Sequence, residues 1–266
     1  MKKTIIALSF LAFTASKLSA QTSNVWNGKK CAVVLTYDDG LNIDLKNVVP
    51  ALDSFKLKGT FYISDYFNGL NAQIPGWKKA AAKGHELANH TVWHACEVGR
   101  GGKEVDNDYN LRIYSVRRMT DEARAMNNIL KAIDGKDKRT FAYPCGETKI
   151  HDTAYIDPLR NEFVGARTVN GIMPTIDKVD LYYLPCYMMN GQSGEQMIEL
   201  VKQATNKNAL LVFLFHGVGG EHSLNVSLEA HHKLLEYLKQ NQKEIWVAPM
   251  IDVAEYIKKY QTKKSS

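Results

Sequence analysis

The chain has 266 residues, 45% of them apolar and 23% charged, with a formal net charge of +6. That composition excludes a disordered or collagen-like chain and leaves room for one large core. The basicity is mild and by itself says nothing of nucleic acid, for which a clustered basic face would be needed; no nucleic-acid partner is expected.

Lys2 and Lys3 precede an apolar stretch from Ile5 to Ala15, and Leu18-Ser19-Ala20 offers a small-x-small site before Gln21. This is the layout of a cleavable export signal. Residues 1–20 are therefore read as a signal peptide and 21–266 as one mature domain, secreted or periplasmic. The apolar stretch is too short for a bilayer span, which takes about 20 residues, and the mature part carries no span. Removing the leader takes Lys2, Lys3 and Lys17 with it and lowers the positive charge further. Cys31, Cys96, Cys145 and Cys186 all lie in the mature part, where an oxidising compartment permits disulfides, and three pairings stay open. None has C-x-x-C spacing, so a cysteine-based zinc site is not expected. Cys31 opens an apolar strand and reads as a small buried hydrophobe.

The pattern thereafter is strands alternating with helices, which favours a parallel sheet covered by helices. Cys31–Tyr37 is a short apolar strand ending in Asp38-Asp39-Gly40. Asp44–Leu57 has helical spacing, with Pro50 as a kink. Thr60–Ile63 reads as a strand, Pro75–Lys83 as a helix closed by Gly84, and His85–Ala88 as a strand entering Asn89–Cys96. Glu97–Asn110 is the longest loop. A helix is predicted from Thr120 to Ile133, with Asp121 and Glu122 in its first turn. Thr140–Tyr143 and Phe163–Val169 read as strands, Gly194–Asn206 as a helix, and Ala209–Phe215 as a strongly apolar strand. Ser227–Gln240 is helical, and Ile245–Ala248 and Ile251–Tyr260 close the chain as strand and helix before a charged, solvated tail, Lys258–Ser266.

Polar groups recur just past the predicted strand ends, where α/β folds gather their catalytic loops. They are Asp38-Asp39, His90 with His94, Tyr143-Pro144-Cys145-Gly146, and His216-Gly217. Adjacent residues on an extended segment point in opposite directions, so Asp38 and Asp39 are expected to do different jobs. Taken alone, Asp-Asp-Gly is also good turn chemistry. His90 and His94 are four apart, so on a helical turn their imidazoles share a face and can grip one ion; a surface pair at helical spacing is the competing reading. Asp39 would complete three ligands and leave a position open for water. His216 ends the most apolar strand and reads either as a satisfied core histidine or as a group at a cleft mouth.

The succession Thr36-Tyr37-Asp38-Asp39-Gly40, His90-Thr91-Val92-Trp93-His94, Phe141-Ala142-Tyr143-Pro144-Cys145-Gly146 and Leu214-Phe215-His216 resembles the polysaccharide deacetylase family, which shares the NodB-homology domain and is also called carbohydrate esterase family 4. The match spans about Cys31 to Val247. The resemblance implies a distorted (β/α)7 barrel. It also implies Asp38 as general base, Asp39, His90 and His94 as metal ligands, His216 as general acid and the Cys145 backbone N–H as oxyanion donor. Thr91 falls where the family steadies its metal-binding loop. Tyr143, Trp93 and Arg167 are candidates to touch substrate, and Trp77, Trp93, Tyr66, Tyr109 and Tyr114 to form a sugar-stacking rim, with barrel packing as the competing reading. Two departures matter. The third motif's arginine is replaced by Ala142, for which Arg167 is a candidate substitute. The Asp and Trp that support the acid histidine have no clean copy, and Asp177 and Asp180 are candidate partners for His216. Surface salt bridges are the competing reading for all three residues.

These residues predict a metal-dependent hydrolase that removes N- or O-linked acetyl groups from a polysaccharide, using one divalent ion, zinc first, with cobalt or nickel as alternatives. Rival readings are an amidohydrolase acting on a small C–N substrate and a non-catalytic carbohydrate-binding relic of the fold.

Overall fold

Cys31–Asp38 (β1) is eight residues long and buried at every position. Parallel strands carry such runs because helices cover both faces of the sheet. In the computed structural model, which describes residues 24–67, 69–97 and 107–265, β1 is the centre of that sheet. The strands after it are Thr60–Ile63 (β2), Glu86–Asn89 (β3), Phe141–Ala142 (β4), Ala166–Arg167 (β5), Tyr187–Met188 (β6), Leu210–Phe215 (β7) and Ile245–Val247 (β8). All pair in parallel, in the order β5-β4-β3-β2-β1-β7-β6, and β8 pairs the first residues of β1. The sheet curls until a bridge between Arg167 and Leu184 links its edges. The seven strands of this order, with β8 beside the start of β1, make a curled half-barrel in a single α/β domain, the distorted barrel the sequence led us to expect.

Six helices accompany the sheet: Val49–Ser54 (α1), Leu70–Ala82 (α2), Val116–Asp134 (α3), Gly194–Lys207 (α4), Leu228–Gln240 (α5) and Met250–Ser265 (α6). Alternation along β1 divides the core. Val33, Leu35 and Tyr37 pack with Leu52, Trp77, Val201 and Leu234 of the surrounding helices. Ala32 and Val34 face the other way, onto Leu210 and Val212 of β7 and Met250, Val253 and Ile257 of α6. Each buried Val, Leu or Ile here contributes about 1.5–3 kcal/mol, so the strand that carries the aspartates is held on both sides.

Several boundaries differ from the sequence reading. The predicted helix Asp44–Leu57 splits into a π-helical turn, Asp44–Val48, and α1, with Pro50 in the first turn of α1, where a missing N–H costs nothing. Helix α2 begins at Leu70 and carries Pro75 inside it. Helix α3 begins at Val116, capped by the Ser115 side chain, which accepts from Arg118 N. That longer helix turns Glu122 inward rather than leaving it in an exposed first turn. The expected strand Phe163–Val169 shrinks to β5, and the charged tail continues α6 to Ser265. The signal peptide and most of the loop 97–110 lie outside the described residues. Among those described, no helix is long and apolar enough to cross a membrane.

Candidate active site

Asp38 closes β1, and Asp39 follows with φ +76°. The expectation that the two carboxylates point apart fails here, because the left-handed step ends the strand's alternation. Both carboxylates approach His90 Nε2, each at 3.7 Å. The expected helical turn for His90 and His94 is also absent: the segment is an irregular loop with Thr91 at φ +62° and His94 at φ +51°. The imidazoles converge all the same. His90 Nε2 lies 3.1 Å from His94 Nε2, which lies 3.6 Å from Asp39 Oδ1. Ligands about 2.0–2.1 Å from a tetrahedral zinc sit roughly 3.3–3.4 Å apart, so Asp39, His90 and His94 form a three-donor set that fits one ion.

The loop is held in this shape by hydrogen bonds. His90 Nδ1 donates to Ala142 O at 2.8 Å, which turns the Nε2 lone pair toward Asp39. Thr91 Oγ1 accepts from His94 N, Asn89 Oδ1 from Thr91 N, and Glu122 Oε1 from Trp93 N. Burial pushes the Glu122 carboxyl up from its ordinary value, and the hydrogen bond from Trp93 N opposes the shift only in part.

Arg167, the candidate substitute for the arginine absent at Ala142, pairs with Asp38. Its Nη2 donates to Asp38 Oδ2 at 2.5 Å, with both side chains almost fully buried. Burial opposes the guanidinium charge, but Asp38 and Cys186 outweigh it and raise its pKa. Arg167 Nη1 donates to Thr168 O and Cys186 Sγ. Ala142 and Arg167 are register partners on β4 and β5, so their side chains leave the sheet on one face about 4.8 Å apart. Arg167 therefore approaches Asp38 from the strand beside Ala142. At 1% exposure it lies beneath Asp38 and does not reach the substrate, as one sequence assignment had it. Asp38 Oδ1 has no hydrogen-bond partner among the described residues.

His216 follows β7 and stacks on His222, with ring centroids 4.6 Å apart and planes at 15°. The loop of His222 is tied to the exit of β1, because Glu221 accepts from Asn42 N, Asn42 Nδ2 and Ile43 N. Asp177 and Asp180 do not support His216. Asp177 pairs with Lys264, and Asp180 accepts from Tyr182 N on the surface. Cys145, at φ +54°, sits on the turn after β4 and is disulfide-bonded to Cys96. Cys31 and Cys186 are buried thiols, and burial raises that of Cys31 to about 11.

Asp38, His90, His94, Cys145 and His216 line one cleft of about 330 Å³, walled by Tyr143, Val169 and Met188. A larger hollow of about 970 Å³, bordered by α3, Lys136–Lys138 and α6, contains none of them. Tyr143 shows its ring to the cleft but is buried, its O–H donating to Tyr182 O. Trp77 and Tyr114 are core residues and leave the proposed rim. Trp93, 41% exposed, packs on Tyr109, which meets Tyr66, and Phe67 stands edge-on to His94. Sequence reasoning missed His222, Glu221 and Glu122, which carry no local motif.

The family model described as polysaccharide deacetylase matches residues 27–157. No curated protein sequence matches the chain. Among solved structures, a candidate polysaccharide deacetylase from Mycobacterium smegmatis is similar at 16% identity and TM-score 0.60, covering 88% of this chain and 92% of that one. The catalytic domain of a peptidoglycan N-acetylglucosamine deacetylase from Eubacterium rectale is similar at 20% identity and TM-score 0.53, covering 84% and 90%. The Xyl-CE4 domain of a multidomain xylanase from the hindgut metagenome of Trinervitermes trinervoides is similar at 16% identity and TM-score 0.53, covering 85% and 90%. At these identities the structures establish a shared fold.

Proposed function

We propose, from the chain's membership of the polysaccharide deacetylase family over residues 27–157, that it is an exported, metal-dependent hydrolase releasing acetate from an acetylated polysaccharide. One observation carries this reading. Asp39, His90 and His94 converge at ligand spacing in the cleft where Asp38 presents an oxygen that Arg167 leaves open. A divalent ion held there supplies Lewis acidity, polarising the acetyl carbonyl and acidifying water.

The chain's own groups divide the remaining work. Asp38, oriented through Oδ2 by Arg167, takes a proton from the attacking water at Oδ1. The Cys145 backbone N–H donates to the oxygen that gains charge; losing one such donor typically costs about 2.7–4 kcal/mol of transition-state stabilisation. His216 returns a proton to the departing sugar nitrogen or oxygen. His222 stacks against its ring and limits the rotamers it can take. The aromatic ridge Trp93–Tyr109–Tyr66 beside His94 suits the apolar face of a sugar ring.

The test is acetate release from acetylated chitin oligomers, xylan and peptidoglycan, with added Zn²⁺ or Co²⁺ and with a chelator. Metal-restored release from one of them is expected, with Asp38→Asn and His216→Ala inactive but still metal-bound. No release from any of the three, at any metal, would end the proposal.

A further inference from the structure

His94 presents a different nitrogen to each side. Its Nε2 faces Asp39 and His90, whereas its Nδ1 lies 3.6 Å from Cys96 Sγ. Cys145 Sγ completes this second cluster, and the three donor atoms lie within 4.8 Å of one another. In the oxidised chain both sulfurs are consumed by the Cys96–Cys145 disulfide. We propose that reduction of this disulfide creates a second site for a thiophilic divalent cation, built from Cys96 Sγ, Cys145 Sγ and His94 Nδ1.

The geometry suits zinc. With Zn–S near 2.3 Å and Zn–N near 2.0–2.1 Å, a tetrahedral ion holds sulfur and nitrogen roughly 3.6 Å apart. Cys96 Sγ and His94 Nδ1 already stand at that distance. Two sulfurs on the same ion sit about 3.8 Å apart, which side-chain rotation can reach once the bond is broken, since the Cα atoms are 6.0 Å apart. The backbone need not move. The metal-binding loop and the oxyanion turn are joined independently, by His90 Nδ1–H to Ala142 O and by Glu97 N–H to Glu147 Oε2 at 2.7 Å. A reductant can reach the bond, because Cys145 is exposed although Cys96 is buried.

The chemistry balances. A phosphine supplies two electrons and leaves as its oxide, with one water giving the oxygen and the two protons that complete the thiols; a dithiol gives two electrons and its own two protons and leaves as a disulfide. Binding the cation as a dithiolate then releases two protons. A neutral imidazole has one lone pair, so His94 serves only one ion at a time. The thiolate site therefore competes with the Asp39–His90–His94 site for a shared ligand, and reducing conditions draw His94 away from the cleft.

The experiment compares the oxidised chain with the chain reduced by a phosphine under anaerobic conditions. Co²⁺ is followed by its thiolate charge-transfer band in the near ultraviolet, and Zn²⁺ by protection of individual cysteines from iodoacetamide, mapped by mass spectrometry. The band is expected only after reduction and is lost in Cys96→Ser/Cys145→Ser, which retains Cys31 and Cys186. Zinc should slow alkylation of Cys96 and Cys145 by at least about tenfold in the wild-type chain, so the outcome does not hang on the variant folding. Equal alkylation with and without zinc overturns the proposal, as does an unchanged band in the double variant or a reduced chain that loses its circular dichroism. These readouts record sulfur ligation and do not depend on deacetylase activity.

Discussion

Replacing Arg167 by glutamine leaves the Asp38 carboxylate buried without its cation. Both side chains are at most 4% exposed, and removing one partner of a buried pair typically costs about 3–5 kcal/mol of stability. Coulomb attraction of about 4 kcal/mol at 4 Å and an effective dielectric near 20 gives the same scale. Neutral activity is expected to fall by about 10²-fold, within the usual range for a general base. Arg167→Lys keeps the charge but loses the fork that also reaches Thr168 O and Cys186 Sγ, so it should fall between. The register pairing makes a sharper case. Ala142→Arg/Arg167→Ala returns a guanidinium to the same face from the adjacent strand and should recover part of the lost activity. The assay is acetate release across pH, with thermal melting measured separately. Wild-type activity in Arg167→Gln would refute the assignment of this arginine to the base.

Asp39→Ala, His90→Ala and His94→Ala should each lose bound metal by elemental analysis, and full occupancy in any of them would remove that residue from the ligand set. Gly146 has φ +76°, and a Cβ there would come within 2.4 Å of Val169 Cγ2. Gly146→Ala should lower stability by about 1–2 kcal/mol and reduce kcat more than it changes KM, which melting and steady-state kinetics can check. Burial lowers the pKa of His231, hydrogen-bonded to Tyr37 Oη at 2.8 Å, to about 3. The unfolded chain therefore takes up a proton below about pH 6.5 that the folded chain refuses. Stability should be fully present above 6.5 and decline by up to about 1.4 kcal/mol per pH unit as pH falls toward 3. A denaturant series in His231→Leu with an unchanged slope would rule this group out.

The candidate ligands and the candidate base were legible because each follows an apolar strand and belongs to a spaced motif. Their backbone was not. Helical spacing suggested a turn for His90 and His94, whereas Thr91 and His94 adopt left-handed conformations that tertiary hydrogen bonds impose. Arg167 could be named as a candidate but not placed, since β5 is two residues long and its register against β4 is set by packing. The Cys96–Cys145 pairing and the His216–His222 stack depend on loops meeting in space, about which linear spacing says nothing.

The position of β1 in the sheet also fixes when the site can form. Its ladder joins residue 31 to residue 245 and residue 37 to residue 215. A chain emerging from its N-terminus thus carries Asp38 and Asp39 on a strand that finds β2 early but whose partners on the other edge, β7 and β8, do not yet exist. Such distant pairing places folding toward the slow end of the range. Until residues 210–247 arrive, the apolar run Cys31–Tyr37 keeps one edge unpaired and is the segment most open to self-association. Cleft assembly is therefore a late event in folding, governed by the C-terminal third of the sequence even though most of the cleft's ionisable groups lie in the first hundred residues.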